Sequence, residues 1–382
     1  MTVLVTGADG LIGWPLAVHL AERDVDVVGV DNFARREWVD QVGGQSIVPL
    51  ESIDERLVAS DYEHFTMEAV DLTDREHVYR LVERYRPEVV IHLAAQPSAP
   101  FSQRDADHAI ETQVTNLTMT LNLLWALHDV DPAPLVENVP IVETTTAGLY
   151  GSPPIEIPEG GVDVLGEDGT TYTLPYPNMG GSWYHLSKGF DAANLRLANR
   201  QWGQPVAECR TGIVYGVSEH ARTRVDFDFH FGTVVNRFCA QAVAGHPLTV
   251  YGAGEQRKPF IHVDDVIAGL AELATGPDRI RQAGHVVYNQ AVEARSIVDV
   301  ASVIVAHARG AGYDATIEHV DNPRSEDETH ELSFEGDRYA ELLRAAGQEP
   351  TTIEGGVGKL LEWIGRNRDV VLERADRFLA DD

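Results

Sequence analysis

Tyr184 and Lys188 stand four residues apart in the run Tyr184-His185-Leu186-Ser187-Lys188. On a helix that spacing sets both side chains on one face, one turn apart. A phenol that titrates near ~10 is a poor base at neutral pH until a fixed cation stabilises its phenolate. Lys188 is placed to be that cation. Of 30 Lys and Arg residues only Lys188, Lys258 and Lys359 are lysines, so a lysine here is not routine surface charge. The motif alone also fits a solvated helix face, and it gains force only from a nucleotide site upstream. A hydroxyl in Thr145-Thr146-Ala147-Gly148, after a strand over 141–144, could bond the same reacting oxygen. His185 is titratable and adjacent to Tyr184, although successive helix side chains diverge.

The beginning of the chain supplies the pattern of a nucleotide site. Residues 2–6 read as a buried strand, followed by Gly7-Ala8-Asp9-Gly10-Leu11-Ile12-Gly13 and an apolar-periodic helix over 11–22. Glycines there permit a tight turn and let a pyrophosphate reach backbone amides at a helix N-terminus. A second strand over 25–30 ends in Asp31-Asn32, where a carboxylate can grip ribose hydroxyls and would repel a 2′-phosphate. NAD is therefore favoured over NADP, tempered by Arg35 and Arg36, which could pair with such a phosphate. The long excursion over 33–64 is either a lid or an inert insertion.

Further along, a strand over 65–70 closes on Asp71-Leu72, a helix spans 74–85, and a strand over 89–93 ends in Ala94-Ala95-Gln96. His92 lies in that apolar run and reads as a core histidine. A helix over 107–128 carries Asn116, another spans 183–201, and a strand over 206–211 precedes Gly212. Such alternation predicts an α/β fold, a doubly wound parallel Rossmann-type sheet with a smaller, mostly C-terminal substrate-binding α/β subdomain. Residues 1–212 form the first domain and 213–382 the second, with some later segments returning to the first. Helices are expected over 226–244, bearing Thr233, Asn236 and Arg237, and over 354–379.

Composition bounds the partners. Thirty basic against sixty acidic residues give a net charge of −30, which argues against nucleic acids and anionic membranes and fits a protein adapted to high salt. Cys209 and Cys239 have no metal-ligand spacing, so neither a disulfide framework nor a metal site is indicated. Neither a signal segment nor a bilayer-length apolar run is evident, and a soluble cytoplasmic protein is expected.

Taken together, Gly7, Gly10, Gly13, Asp31, Asp71, the Thr146 segment and the Tyr184/Lys188 pair resemble the extended short-chain dehydrogenases/reductases. That family acts mostly on nucleotide sugars with a tightly held NAD. A narrower resemblance, to its UDP-sulfoquinovose synthases, rests on Asp31-Asn32-Phe33-Ala34-Arg35-Arg36, Gln96 to Ser102, Leu174 to Pro177 running on to Tyr184-His185-Leu186-Ser187-Lys188, Gly245 to Gly252 and Asn322-Pro323-Arg324. Pro97, Leu149 and Arg210-Thr211 depart from that pattern. The resemblance implies cofactor contacts at Gly7, Gly10, Leu11, Ile12, Gly13, Asp31, Asn32, Arg35, Arg36, Asp71, Leu72, Ala94, Ala95, Gln96 and Asn116, besides Tyr184 and Lys188. It implies substrate contacts at Ser98, Thr146, Gly212, Thr233 and Arg237, with Arg257 and Arg324 as diphosphate clamps.

The implied reaction joins a UDP-sugar, UDP-glucose, to sulfite through 4-keto and 4-keto-5,6-ene sugars, in a homodimer. Dedicated 4,6-dehydratases of the family carry Asp-Glu after the threonine, where this chain has Ala147-Gly148, so His185 is the nearest titratable candidate for the C5 chemistry. A UDP-hexose 4-epimerase, a UDP-glucuronate epimerase or decarboxylase, and a silent NAD-binding regulatory protein are the alternatives.

Overall fold

The computed structural model describes residues 1–58, 62–130, 138–151, 153, 155–176, 179–218, 223–322 and 332–379. The first half alternates strand and helix: β1 (Thr2–Thr6), α1 (Gly13–Ala21), β2 (Asp26–Asp31), α2 (Ala34–Gln41), α3 (Ile53–Val58), β3 (Phe65–Ala69), α4 (Arg75–Tyr85) and β4 (Val89–His92). Then come α5 (Ala99–Ser102), α6 (Ala106–Asp129), β5 (Ile141–Thr146), a hairpin of β6 (Gly161–Leu165) and β7 (Thr171–Pro175), α7 (Trp183–Trp202), β8 (Val206–Thr211) and β9 (Ile213–Tyr215). The second half holds α8 (Val234–Ala244), β10 (Leu248–Tyr251), β11 (Arg257–His262), α9 (Val263–Thr275), α10 (Asp278–Ala283), β12 (His285–Gln290) and β13 (Glu293–Ser296). It closes with α11 (Ile297–Gly310), β14 (Ile317–Val320), α12 (Asp337–Ala345), α13 (Ile353–Arg366) and α14 (Arg368–Glu373).

Seven strands form one sheet in the order β12-β8-β5-β4-β1-β2-β3, and every neighbouring pair is parallel. Strands such as Thr2-Val3-Leu4-Val5-Thr6 are buried on both faces because helices cover both sides, which is why they read as continuous apolar runs. The order reverses between β1 and β4, and in open parallel sheets ligands bind outside the carboxyl ends of strands at such a switch. One core packs α1 and α9 on the first face; another packs α4, α6 and α7 on the second. A third core, built from α8, α11, α13 and β10, belongs to the second lobe.

Local signals set the edges of the elements that carry the site. Ser182 caps α7 by accepting the His185 amide at 3.1 Å, and Gly203 ends it in the left-handed conformation at φ 67°. Asp105 caps α6 through the His108 amide at 3.0 Å. Asn116, in α6, accepts the Gln96 amide at 2.8 Å and donates to Ser187 Oγ at 2.9 Å, tying the end of β4 to α7. The long helix expected over 226–244 begins only at Val234, because Asp228 takes the amides of His230 and Phe231 into a turn and Thr233 opens the helix. The helix expected over 354–379 is interrupted at Asn367, giving α13, α14 and a final turn at Ala375–Arg377. His92 is buried, bonded to Thr6 and Thr120, and desolvation pushes its pKa down to about 3.

Candidate active site

The glycine turn after β1 is dictated by contact as much as by flexibility. Gly7 has φ +70°, and a Cβ on it would lie 2.7 Å from the Ala94 amide nitrogen. A Cβ on Gly13 would run into the Gly7 carbonyl and lie 2.8 Å from Ala8 Cα. The backbone is thereby left bare at the N-terminus of α1, as a dinucleotide pyrophosphate requires. Asp31, at the end of β2, accepts the Asp9 amide at 2.9 Å and the Phe33 amide at 2.7 Å. Burial pushes its pKa up to about 6 against those hydrogen bonds.

One continuous cleft runs from this turn across the sheet ends and under the second lobe. Gly7, Gly10, Leu11, Ile12, Gly13, Asp31, Asn32, Arg35, Leu72, Ala94 and Ala95 line its cofactor end. These features fit an NAD: bare glycine backbone for the diphosphate and a strand-end carboxylate for ribose hydroxyls. Thr146, Tyr184, His185, Ser98, Gly212, Thr233 and Arg237 line the remainder. Arg35, Arg224, Arg237 and Lys258 also line it, together with Asp9 and Asp226, the latter pairing with Arg35 and Arg224.

Other named residues sit elsewhere. Arg36 makes a two-pronged ion pair with Asp9, both contacts 2.8 Å, and so pins α2 to the glycine turn. Asp71 accepts the amide and hydroxyl of Thr73 at 2.9 and 2.8 Å. Gln96 and Asn116 are buried behind the cleft wall. Arg257 donates to the Ala294 carbonyl at 2.5 Å, and its neighbour Lys258 lines the cleft instead. Arg324 lies outside the described residues, two positions beyond the cleft-lining Asn322.

Tyr184 is held at the start of α7, where its amide donates to Ser102 Oγ at 3.3 Å. Burial raises its phenol pKa; the charges of Lys188 and Arg35 and a hydrogen bond with Thr146 work in the opposite direction. His185 reaches the same cleft, its ring centroid 5.4 Å from that of Tyr184. Its imidazole occupies the space that a side chain on Gly148 would need. Lys188 is buried behind Tyr184 and pairs with Glu143 at 2.7 Å and Asp191 at 2.9 Å.

Several groups in or behind the cleft escaped the sequence reading. Arg224 and Arg35 share Asp226, at 3.2 and 2.7 Å, and Thr223 donates to the Leu11 carbonyl at 2.8 Å, so the 223–232 segment closes onto the glycine turn. No spacing marks such a long-range contact, whereas Asp191, three residues after Lys188, was a signal in plain view.

The family model for the NAD dependent epimerase/dehydratase family matches residues 3–289. The chain is 35% identical over 352 residues to the chloroplastic UDP-sulfoquinovose synthase of Spinacia oleracea, covering 89% of this chain and 71% of the spinach protein. It is 36% identical over 340 residues to the UDP-sulfoquinovose synthase of Sulfolobus acidocaldarius, covering 86% of this chain and 84% of that protein. Among solved structures, the UDP-glucuronic acid 4-epimerase of Bacillus cereus, in complex with UDP-glucuronic acid and NAD, superposes with a TM-score of 0.69 at 22% identity. That match covers 96% of this chain and 99% of the epimerase, and it shows the shared fold. On the match of most of the chain to one family model, and of most of it to two relatives above 30% identity, this protein belongs to the NAD-dependent epimerase/dehydratase family.

Proposed function

We propose that the protein is an NAD-dependent UDP-sulfoquinovose synthase, converting UDP-glucose and sulfite to UDP-sulfoquinovose and water. The observation that carries the chemistry is the convergence of Thr146, Tyr184 and His185 on one end of the cleft that begins at the glycine turn. The identity to two such synthases carries the choice of substrate. When bound, NAD supplies a reversible hydride acceptor for the sugar C4.

Tyr184, as phenolate, takes the proton of the 4-hydroxyl while Thr146 orients that hydroxyl, and later returns the proton to the same oxygen. With C4 a ketone, the C5 proton is acidic; His185 removes it and passes it to the C6 hydroxyl, which departs as water and leaves a 4-keto-5,6-ene. Bisulfite adds through sulfur at C6, its proton passes through His185 to C5, and C4 is reduced back to an alcohol by return of the hydride. His185 suits the C5 step because its ring fills the space over Gly148, the turn in which dehydratases of this family carry a carboxylate. Arg237 and Lys258, which line the cleft, would hold phosphate oxygens of the nucleotide sugar.

Incubation with UDP-glucose, with and without sulfite, followed by mass analysis, tests the reading. A sulfonated UDP-hexose formed only with sulfite is the expected product; an isomer of unchanged mass in both arms would make the protein a 4-epimerase.

We also assign a homodimer. Ile110, Val114, Leu121 and Trp125 on α6, with Trp183, Phe190 and Leu197 on α7, form an exposed apolar face on an otherwise highly acidic protein. The seven-residue spacing of Trp183, Phe190 and Leu197 keeps one stripe of α7 outward, and two copies of such a helix pair can cover each other. No helix among the described residues is long and apolar enough to cross a membrane.

A further inference from the structure

A polar row crosses the middle of the central sheet. Thr6, His92, Glu143 and Glu208 are registered partners across β1, β4, β5 and β8. Against this row lies α7, whose Lys188 and Asp191 are 2% and 0% exposed. Lys188 Nζ meets Glu143 Oε1 at 2.7 Å and Asp191 Oδ2 at 2.9 Å. Glu143 Oε2 and Asp191 Oδ1 have no hydrogen-bond partner among the described residues.

The charges around this lysine do not balance. Glu208 is taken by Arg210 at 2.7 Å, His92 is held neutral by burial, and Arg35 faces Tyr184 from α2. One ammonium therefore serves two buried carboxylates. Burial pushes both carboxyls up, Asp191 to about 6 with the charge of Glu143 adding to the effect, while Lys188 pulls both down. At the alkaline pH where a phenol titrates both are ionised, and their surplus negative charge opposes a phenolate on the other side of Lys188.

We propose that Glu143 and Asp191 are positioning residues for the base: by engaging the Lys188 ammonium from behind, they set how much of its charge reaches Tyr184. This rests on Tyr184 being the base. Removing one of these carboxylates releases positive charge toward the phenol and eases its ionisation. The device belongs to β5 and α7, and neither carboxylate lines the substrate cleft.

Ultraviolet difference titration of the NAD-loaded protein against its Y184F variant reads the Tyr184 phenolate directly. Glu143→Gln and Asp191→Asn are each expected to lower its midpoint by about one pH unit, and the double variant by more. Glu143→Asp, which keeps the charge, should return the midpoint toward the starting value. Asp191→Asn carries the test if Glu143→Gln does not fold. A merely structural role would alter melting without moving the midpoint, so unmoved midpoints in folded, NAD-retaining variants overturn the proposal. Product formation by Y184F would instead remove Tyr184 as the base, which keeps the two failures apart.

Discussion

Replacing Lys188 with methionine leaves two buried carboxylates without their cation, and the consequence depends on pH in a calculable way. Breaking a buried ion pair by deleting one partner costs about 3–5 kcal/mol, because the remaining charge is uncompensated. Burial pushes Asp191 up from the ordinary carboxyl value of 3.8 to about 6 in the folded protein, and Glu143 is also raised by burial. A carboxyl with a raised folded pKa contributes stability that is fully present below its unfolded value and is lost as pH rises through its folded value. For Asp191 that window, about two units wide, corresponds to roughly 3 kcal/mol. Lys188 is what pulls both carboxyls downward, so in K188M the window extends to higher pH and both groups protonate rather than remain bare. Urea unfolding at two pH values should show K188M weaker than the parent by about 3–5 kcal/mol at pH ~8 and by under about 1 kcal/mol at pH ~5.5. A penalty equal at both pH values would refute the reasoning, since it would mean the carboxylates do not depend on Lys188.

The same geometry makes other changes legible. Gly13→Ala drives a Cβ into the Gly7 carbonyl, backbone against backbone, so NAD binding by titration calorimetry should fall at least ~100-fold, about 3 kcal/mol. Gly181→Ala, which meets nothing within 4 Å, should bind as the parent does; equal binding by both variants would count against the turn as the diphosphate site. His185→Ala should keep NAD and lose exchange of the sugar C5 proton with heavy water, and undiminished exchange would exclude His185 from that step. Phe190→Glu, at a residue 51% exposed in the middle of the apolar face, should give a monomer by light scattering with unchanged secondary structure; a persistent dimer would place the interface elsewhere.

Much of the site was legible because its signals are local. The glycine turn, Asp31 and the Tyr184/Lys188 spacing each lie within one element or at its end, where period and turn chemistry speak directly. Alternation of strand and helix was enough for the parallel sheet. What stayed hidden depends on pairing across the fold. Glu143 is 45 residues from Lys188 and reads in sequence as one more residue of β5. Arg36 looked free for a phosphate until Asp9, 27 residues earlier, took both prongs of its guanidinium. Arg257 sits in an inviting motif, yet strand pairing with β13 turns it onto the Ala294 carbonyl. Helix ends misled for the same reason: the Asp228 turn and the break at Asn367 are made by specific hydrogen bonds, which an apolar period does not report. His185 ran against the rule that neighbouring helix side chains diverge, because it sits in the first turn of α7, where the bare Gly148 gives its ring room.

All of this chemistry requires the phenol oxygen of Tyr184 to accept and return the proton of the sugar alcohol. The most direct measurement is product formation from UDP-glucose and sulfite by Tyr184→Phe, run beside the parent with equal NAD content in both. The account predicts that the variant keeps its cofactor and its melting temperature and forms no sulfonated sugar. Turnover at the parent's rate in that variant would contradict it.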